Sequence, residues 1–217
     1  MIIDFAYIGE ILPPLLGATL VTLRIAVLAF GVSLLVGLGF AILRLSKHHG
    51  LATSVLMFTE SVRLTPLLVQ LFFAYYVLPE IGIQLPAEPT GILVIGLHYA
   101  TYTSEVFRSG ILAVSRGQWE AAWSLGLRGR VVWHKIILPQ AIRPMVPALG
   151  NYLVQLFKEV PLLSTITVYE LLNTANLIAG QSFRYLEVMT LVALIFFAIS
   201  YASSLLIASL EERQRAR

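Results

Sequence analysis

The sequence predicts an all-α, multi-pass transmembrane helical bundle. Of its 217 residues, 58% are hydrophobic and only 12% are charged, a balance that is unusual for a soluble domain. Apolar runs long enough for a helix to cross a bilayer recur along the chain. No linker or low-complexity segment divides the sequence, so we expect residues 1–217 to form one domain.

Five segments predict spanning helices. Two of them, 25–43 and 188–210, are uninterrupted, whereas the other three contain proline or ionisable residues. Such residues are tolerated in a membrane only where protein or a water-filled cavity satisfies them. We therefore expect the three interrupted helices to surround a polar path and the first and last helices to face lipid. The expected spans are 17–44, 51–79, 89–112, 141–168 and 186–210.

Basic residues lie mainly on one side of these spans, at 44–47, 108–143 and 213–217. The loops on the other side are predominantly acidic. The bias of lysine and arginine towards cytoplasmic loops predicts an external N-terminus and a cytoplasmic C-terminus in the cell (inner or plasma) membrane. The first residues lack the basic region of a secretory signal, so we expect the first helix to direct insertion.

Several kinds of chemistry are excluded by residue usage. The chain has no cysteine, so it can form neither a disulfide nor a thiolate metal site. Asp4 is its only aspartate, and no phosphate-binding GxxxxGK[ST] loop occurs. We expect no catalytic residue, metal or cofactor in this chain, and no nucleic-acid partner.

The predicted cytoplasmic loop at 113–140 contains a segment unlike the rest, EAAWSLGLRGRVVWHKIILP at 120–139. Gly126 permits a turn that a Cβ would strain, and apolar spacing then resumes until Pro139, where we expect the helix to stop. Tryptophans with arginines are typical of a protein interface, although an amphipathic segment in the lipid headgroups is an alternative. These residues are Trp119, Trp123, Trp133, Arg128 and Arg130.

The spacing of this segment resembles the EAA loop of ABC-importer permeases: Glu-Ala-Ala, three residues, Gly, nine residues, Ile, one residue, Leu-Pro. The stretch SVRLTPLLVQ at 61–70 is similar to the family's EVxRGTPLLVQ, with Leu64 where glycine is usual. The resemblance covers nearly the whole chain and is strongest to the polar amino acid uptake branch, within it to ectoine and hydroxyectoine permeases. The matching loop positions are Glu120, Ala121, Ala122, Gly126, Ile136, Leu138 and Pro139.

The resemblance implies a type I ABC-importer permease fold, in which this loop is a coupling helix seated in a separate ATP-binding subunit. Glu120 would pair with a basic residue there, Gly126 would set the knuckle, and Ala121 and Ala122 would allow close approach. The implied partners are a dimer of ATP-binding subunits holding ATP and Mg, a second permease that is identical or paralogous, and an extracytoplasmic substrate-binding protein. The implied function is import of a small polar or zwitterionic solute, ectoine-like or a polar amino acid, by alternating access.

Polar residues on the interrupted helices are candidates for the substrate path. Lys158 and Glu159 lie in mid-span beside Pro161, and broken helices commonly line transporter sites. A zwitterion could use a carboxylate, aromatic faces and amide or hydroxyl donors. Alternatively, Lys158 and Glu159 pair structurally with another helix or subunit. The path candidates are Tyr99, Tyr102, Thr103, Asn151, Gln155, Lys158 and Glu159.

Two charged pairs, Glu60 with Arg63 and Glu105 with Arg108, have a spacing of three residues, which places both partners on one helical face. We expect them to be structural or gating ion pairs.

Two other functions stay open at this point. One is a channel or secondary transporter that works without ATP. The other is an intramembrane serine hydrolase that pairs His98 with Ser200, Ser203 or Ser204, although no strained nucleophile elbow surrounds these serines.

Overall fold

In a computed structural model, which describes residues 4–215 and side chains as far as Glu212, the chain is a bundle of helices joined by short turns. No strand occurs within that part of the chain, which confirms the all-α prediction. Arg217 of the predicted basic tail lies outside the described residues. The helices are α1 (Phe5–Arg44), α2 (His49–Leu64), α3 (Leu67–Phe72), α4 (Ala87–Leu112), α5 (Arg116–Ser124), α6 (Gly129–Val131), α7 (Leu138–Glu159), α8 (Leu171–Ser182) and α9 (Tyr185–Arg215).

Helix α1 is 40 residues long and begins well before the predicted span at 17–44. Its start is fixed by Asp4, whose carboxylate accepts the backbone N–H groups of Ala6 and Tyr7. By length and composition, α1 and α9 can each cross a membrane, and the bent pair formed by α2 and α3 with its following turns adds a third span if it is counted as one. The five-span arrangement stays a prediction.

Helices α1 and α4 pack closely through small residues. A Cβ on Gly37 would lie 2.9 Å from the carbonyl oxygen of Ala100, and one on Gly96 would lie 3.0 Å from that of Ala29. Glycine and alanine at such crossings let membrane helices approach backbone to backbone. The buried side chains around this crossing come from α1 and α4 and also from α3, α7 and the turn after α7: Ile25, Leu71, Ile95, Leu156, Val160 and Leu163.

The first turns of α1, helix α8 and the first turns of α9 share a second apolar core. Glu170, fully buried, caps α8 by accepting the backbone N–H groups of Leu172 and Asn173 at 3.0 and 2.7 Å. Burial raises the pKa of the Glu170 carboxyl, and these hydrogen bonds oppose the shift. Arg184 donates to Asp4 at 3.0 Å and thereby ties the link between α8 and α9 to the start of α1.

Candidate functional site

The second predicted span is sharply broken. Helix α2 ends at Leu64, Thr65 and Pro66 are extended, and the two helical pieces meet at an angle of 100°. Proline disfavours the α conformation of the residue before it and has no N–H to donate, which accounts for a break at this position. The chain continues as α3, a π-helical turn at Phe73–Val77 and a 3₁₀ turn at Leu78–Ile81.

Three tyrosines from α4 and α7 form what we call the tyrosine cluster: Tyr99, Tyr102 and Tyr152. Their ring centroids are 5.6 to 6.4 Å apart, distances typical of edge-to-face and tilted aromatic pairs. Tyr99 is buried and the other two are half-buried. The ring of His98 lies 5.5 Å from that of Tyr102, so the structure brings the path candidates Tyr99 and Tyr102 together with Tyr152 and His98.

Arg63 connects the broken span to this cluster. Its guanidinium pairs with Glu60 at 2.8 Å, donates to the backbone carbonyl of Thr101 and lies over the ring of Tyr102 at 5.2 Å from the centroid. Its Nε is buried without a hydrogen-bond partner among the described residues. The spacing indicated the pair with Glu60, whereas the contacts with α4 depend on how α2 is rotated and could not be predicted from spacing.

At the predicted cytoplasmic end of α4, Glu105 pairs with Arg108, as its spacing indicated, and also with Arg44 at 2.6 Å. Arg44 is the last residue of α1 and its side chain is only 12% exposed. The Glu105 carboxylate therefore joins α1 to α4 and also connects two successive turns of α4. Arg44 was not predicted as a partner of Glu105, and its position at the end of the first span was the only signal for it in the sequence. Whether either charged pair acts as a gate stays a prediction.

Helix α7 carries a polar stripe opposite its packed face. The packed face consists of Val154, Leu156 and Phe157, which are buried. The polar stripe consists of Asn151, Gln155 and Lys158, which are exposed, and Glu159, which is half-buried. Among the described side chains, neither Lys158 nor Glu159 forms an ion pair.

Thr103 was predicted to face the path, and the structure places it between two helices instead. The residue is fully buried, and its hydroxyl donates to the backbone carbonyl of Ser33 on α1 at 2.7 Å. Thr103 lies one residue beyond Tyr102, on the face of α4 that packs against α1 near Gly37. A hydroxyl satisfied in this way between two helices is a packing contact and is not available to a solute.

The segment predicted as a knuckle turns at Gly126. Helix α5 ends there with φ of +65° at Gly126. The Gly126 N–H donates to the carbonyl of Trp123 at 2.9 Å, and the Leu127 N–H donates to that of Ala122 at 3.2 Å, the two bonds of a Schellman motif. The left-handed backbone explains why glycine is needed at this position.

Two expectations for this segment are corrected. The chain remains helical through Pro139, because α6, a π-helical turn at Val132–Ile137 and α7 follow one another without a gap, and proline is tolerated in the first turn of a helix. Ala122 is 1% exposed and packs inward against Val132 and Ile137, so its side chain belongs to the core of this segment. Glu120, Ala121 and Trp123 are exposed, Ile136 and Leu138 are half-buried, and Trp119 packs edge-to-face on Trp133 at 5.2 Å.

The serine and histidine of the hydrolase alternative have other partners. The Ser204 hydroxyl donates back along α9 to the carbonyl of Ser200 at 2.9 Å. The Nδ1 atom of His98 lies 3.1 Å from the side-chain amide of Gln70. These contacts are those of helix packing and do not activate a nucleophile.

Residues 33–216 match the model of the family described as "binding-protein-dependent transport system inner membrane component". A protein of Sinorhizobium fredii described as a probable amino-acid ABC transporter permease is 45% identical over 94% of this chain and 88% of its own length. A Bacillus subtilis protein described as a probable glutamine ABC transporter permease is 36% identical over 96% of this chain and 97% of its own length.

Solved structures agree with these relationships. The chain is 33% identical to a chain in the crystal structure of an amino acid ABC transporter with histidines, with a TM-score of 0.90 over 98% of this chain and 100% of that one. A chain of the MetNI methionine ABC transporter in an inward-facing conformation matches at 16% identity, with a TM-score of 0.71 over 93% of this chain and 98% of that one, a likeness of fold alone.

Proposed function

The chain belongs to the family of binding-protein-dependent transport system inner membrane components, and on this premise we propose that it is the permease subunit of an ATP-driven importer for a polar, zwitterionic amino acid. The observation that carries the proposal is the polar stripe of α7 beside the tyrosine cluster. Exposed polar and charged groups are costly against lipid, so a stripe of this kind supports a path through the protein assembly.

The arrangement suits a solute that carries both charges. Tyr152 belongs to the tyrosine cluster and Glu159 to the polar stripe, and the two residues lie on one face of α7, about 10 Å apart along the helix axis. The Glu159 carboxylate can bind an ammonium group, and tyrosine faces attract delocalised positive charge. Amide donors of Asn151 and Gln155 and the ammonium of Lys158 can bind a carboxylate.

The relatives' descriptions support an amino acid as the solute, and the two described above name amino acids in general and glutamine in particular. Ectoine, a zwitterion that presents the same charges, belongs among the candidates on the resemblance in sequence alone. The family description itself refers to a binding protein. We propose the remaining partners on the same ground: two ATP-binding subunits that hold ATP and Mg, and a second permease, identical or paralogous.

The knuckle at Gly126 is the proposed contact with the ATP-binding subunit. Glu120, Ala121 and Trp123 form an exposed surface on α5, and an apolar cluster beneath them holds α5 on the helical segment that leads into α7. Because that segment is continuous with the polar stripe, a push on α5 would be transmitted to the proposed path as movement of a rigid body. The proposed orientation has the N-terminus outside and this surface in the cytoplasm.

The proposal is tested by uptake into proteoliposomes that contain the chain co-purified with its ATP-binding subunits and supplied with its binding protein. Radiolabelled glutamine, histidine, arginine and ectoine are the substrates. We expect uptake that requires internal ATP and the binding protein and that persists when ionophores collapse all ion gradients. Uptake that is driven by an ion gradient without ATP would instead establish the secondary-transporter alternative.

A further inference from the structure

The break between α2 and α3 leaves two backbone carbonyls short of the donors that a continuous helix would provide. Pro66 has no N–H, so the carbonyl of Val62 loses its donor four residues on and keeps only a longer bond, at 3.3 Å, from the N–H of Thr65. The N–H groups of Val69 and Gln70 both donate to the carbonyl of Pro66, at 3.0 and 3.2 Å. The carbonyl of Thr65 is therefore left to a side chain. Inside a membrane protein such groups need partners, because no bulk water is present to supply them.

The side chain of Gln70 donates hydrogen bonds to both of these carbonyls. Its Nε2 donates to the carbonyl of Val62 at 2.7 Å and to that of Thr65 at 2.8 Å. The need to satisfy two carbonyls fixes which end of the amide is the nitrogen. The same Nε2 lies 3.1 Å from Nδ1 of His98 on α4. One half-buried glutamine thus joins the end of α2, the start of α3 and the helix that carries two of the three clustered tyrosines.

This geometry favours one protonation state of His98. The amide nitrogen of Gln70 directs its two hydrogens to two carbonyls and has no lone pair to offer, so Nδ1 of His98 fits beside it as a lone pair that shares one of these hydrogens. A hydrogen on Nδ1 of His98 would point at the hydrogens of Gln70 and would force the amide to turn away from Val62 and Thr65. The neutral ring with its hydrogen on Nε2 is compatible with the break, and the doubly protonated ring is not.

Charged and titratable groups surround His98 on each neighbouring helix. On α2, the Arg63 cation lies over Tyr102, and Glu60 partly balances it. On α4 itself the neighbours are Tyr99 and Tyr102, at 5.7 and 5.5 Å between ring centroids. On α7, Tyr152 contacts the same tyrosines, and Glu159 is two turns further along. A second positive charge at His98 would therefore arise next to a guanidinium and next to amide hydrogens.

We propose that Gln70 is a positioning residue that locks the break between α2 and α3 onto the tyrosine cluster, and that it does so only while His98 is neutral. The inference rests on the proposed transport function and adds to it a link between the protonation of one histidine and the shape of the path. Protonation of His98 would release the amide of Gln70, remove its hydrogen bonds to the carbonyls of Val62 and Thr65 and slow the transport cycle.

The test compares Gln70→Leu and His98→Asn with Gln181→Leu, a control at an exposed glutamine on α8, in the assembled transporter in proteoliposomes. We expect Gln70→Leu to lower the maximal uptake rate by roughly tenfold, the size of one net hydrogen bond or more, with a smaller change in KM. With each protein normalised to its own rate at neutral pH, uptake by the wild type should fall at acid pH, where histidine is protonated, and uptake by His98→Asn should not. An unchanged rate in Gln70→Leu, or the same acid decline in His98→Asn, would overturn the proposal.

A second measurement separates this inference from the transport function. Hydrogen–deuterium exchange of residues 61–72 in the purified complex reports on the break without any substrate. We expect faster exchange in Gln70→Leu than in Gln181→Leu, and at acid pH faster exchange in the wild type than in His98→Asn. If these differences appear while no solute is transported, the proposed function fails and the lock stands; if uptake is normal and exchange is equal in all proteins, the lock fails alone.

Discussion

Replacing Gly37 by alanine should loosen the crossing of α1 and α4. The new Cβ would lie 2.9 Å from the backbone carbonyl of Ala100 and closer still to the hydroxyl of Thr103. That hydroxyl must then turn away from the carbonyl of Ser33, or the helices must separate. Overpacking costs about 1–3 kcal/mol and a lost buried hydrogen bond about 1–3 kcal/mol, whereas alanine in place of glycine regains about 0.5–1 kcal/mol of helix stability. The terms sum to about 1–5 kcal/mol, and because overpacking and the lost hydrogen bond partly replace each other, we expect a net destabilisation of about 2 kcal/mol.

Thermal unfolding of the purified complex in detergent measures this effect. For a chain of this length, about 2 kcal/mol corresponds to a fall in Tm of roughly 4–8 °C. Gly39→Ala is the matched control, because a Cβ there meets nothing within 4 Å, and its Tm should stay the same or rise. Adding Thr103→Ala to Gly37→Ala should recover part of the loss. Equal Tm values for the Gly37 and Gly39 variants would refute the close packing of α1 against α4.

Three further predictions concern the knuckle, the polar stripe and the buried acid. Gly126→Val should cost about 1–2 kcal/mol of local strain and abolish uptake while ATP hydrolysis continues, and Glu120→Lys should uncouple uptake in the same way. Gly126→Asn should retain uptake because asparagine tolerates a left-handed backbone. Normal uptake by the valine variant would contradict the coupling role. Glu159→Gln should raise KM by roughly tenfold, the loss of one hydrogen bond to a charged group, with Glu10→Gln as the exposed control; an unchanged KM and rate would favour structural pairing. Because folding raises the pKa of Glu170, its contribution to stability is complete below the ordinary carboxyl pKa and is lost as the pH rises through the pKa of the folded state. Tm should therefore fall with rising pH in the wild type and fall less in Glu170→Gln. Equal slopes of Tm against pH in the two proteins would exclude Glu170 as the cause.

Local features of the fold were predictable because they depend on neighbouring residues alone. Proline at position 66 indicated an interruption, and glycine six residues after Glu120 indicated a turn, which the positive φ of Gly126 confirms. The ion pair of Glu105 and Arg108 followed from their spacing on one helix. In each case the physical cause lies within one or two helical turns, a range over which sequence spacing and three-dimensional distance are tightly related.

The candidate site was less predictable because it depends on how separate helices are rotated against each other. Thr103 and Tyr102 are adjacent in sequence, yet one is packed into α1 and the other joins the tyrosine cluster. In the sequence, Gln70 stood out only as part of a stretch that matches the family. Its hydrogen bonds to the carbonyls of Val62 and Thr65 depend on the angle of the break. Ala122 looked available to a partner until the fold of α5 buried it. A rotation of about 100° per residue decides each of these outcomes, and no pattern in a single sequence fixes it for every helix.

The length of α1 has a consequence for the membrane around the protein. Forty helical residues extend about 60 Å, roughly twice the thickness of the hydrocarbon layer. The start of α1 packs against α8 and α9, and its last residue is held by Glu105, so a helix of this length can fit the bilayer only by tilting or by extending beyond it. In either arrangement the mismatch between helix and bilayer has an energy that depends on the length of the lipid acyl chains. The transport rate of the assembled protein should consequently change in thinner or thicker bilayers, because the length of α1 makes the protein sensitive to membrane thickness.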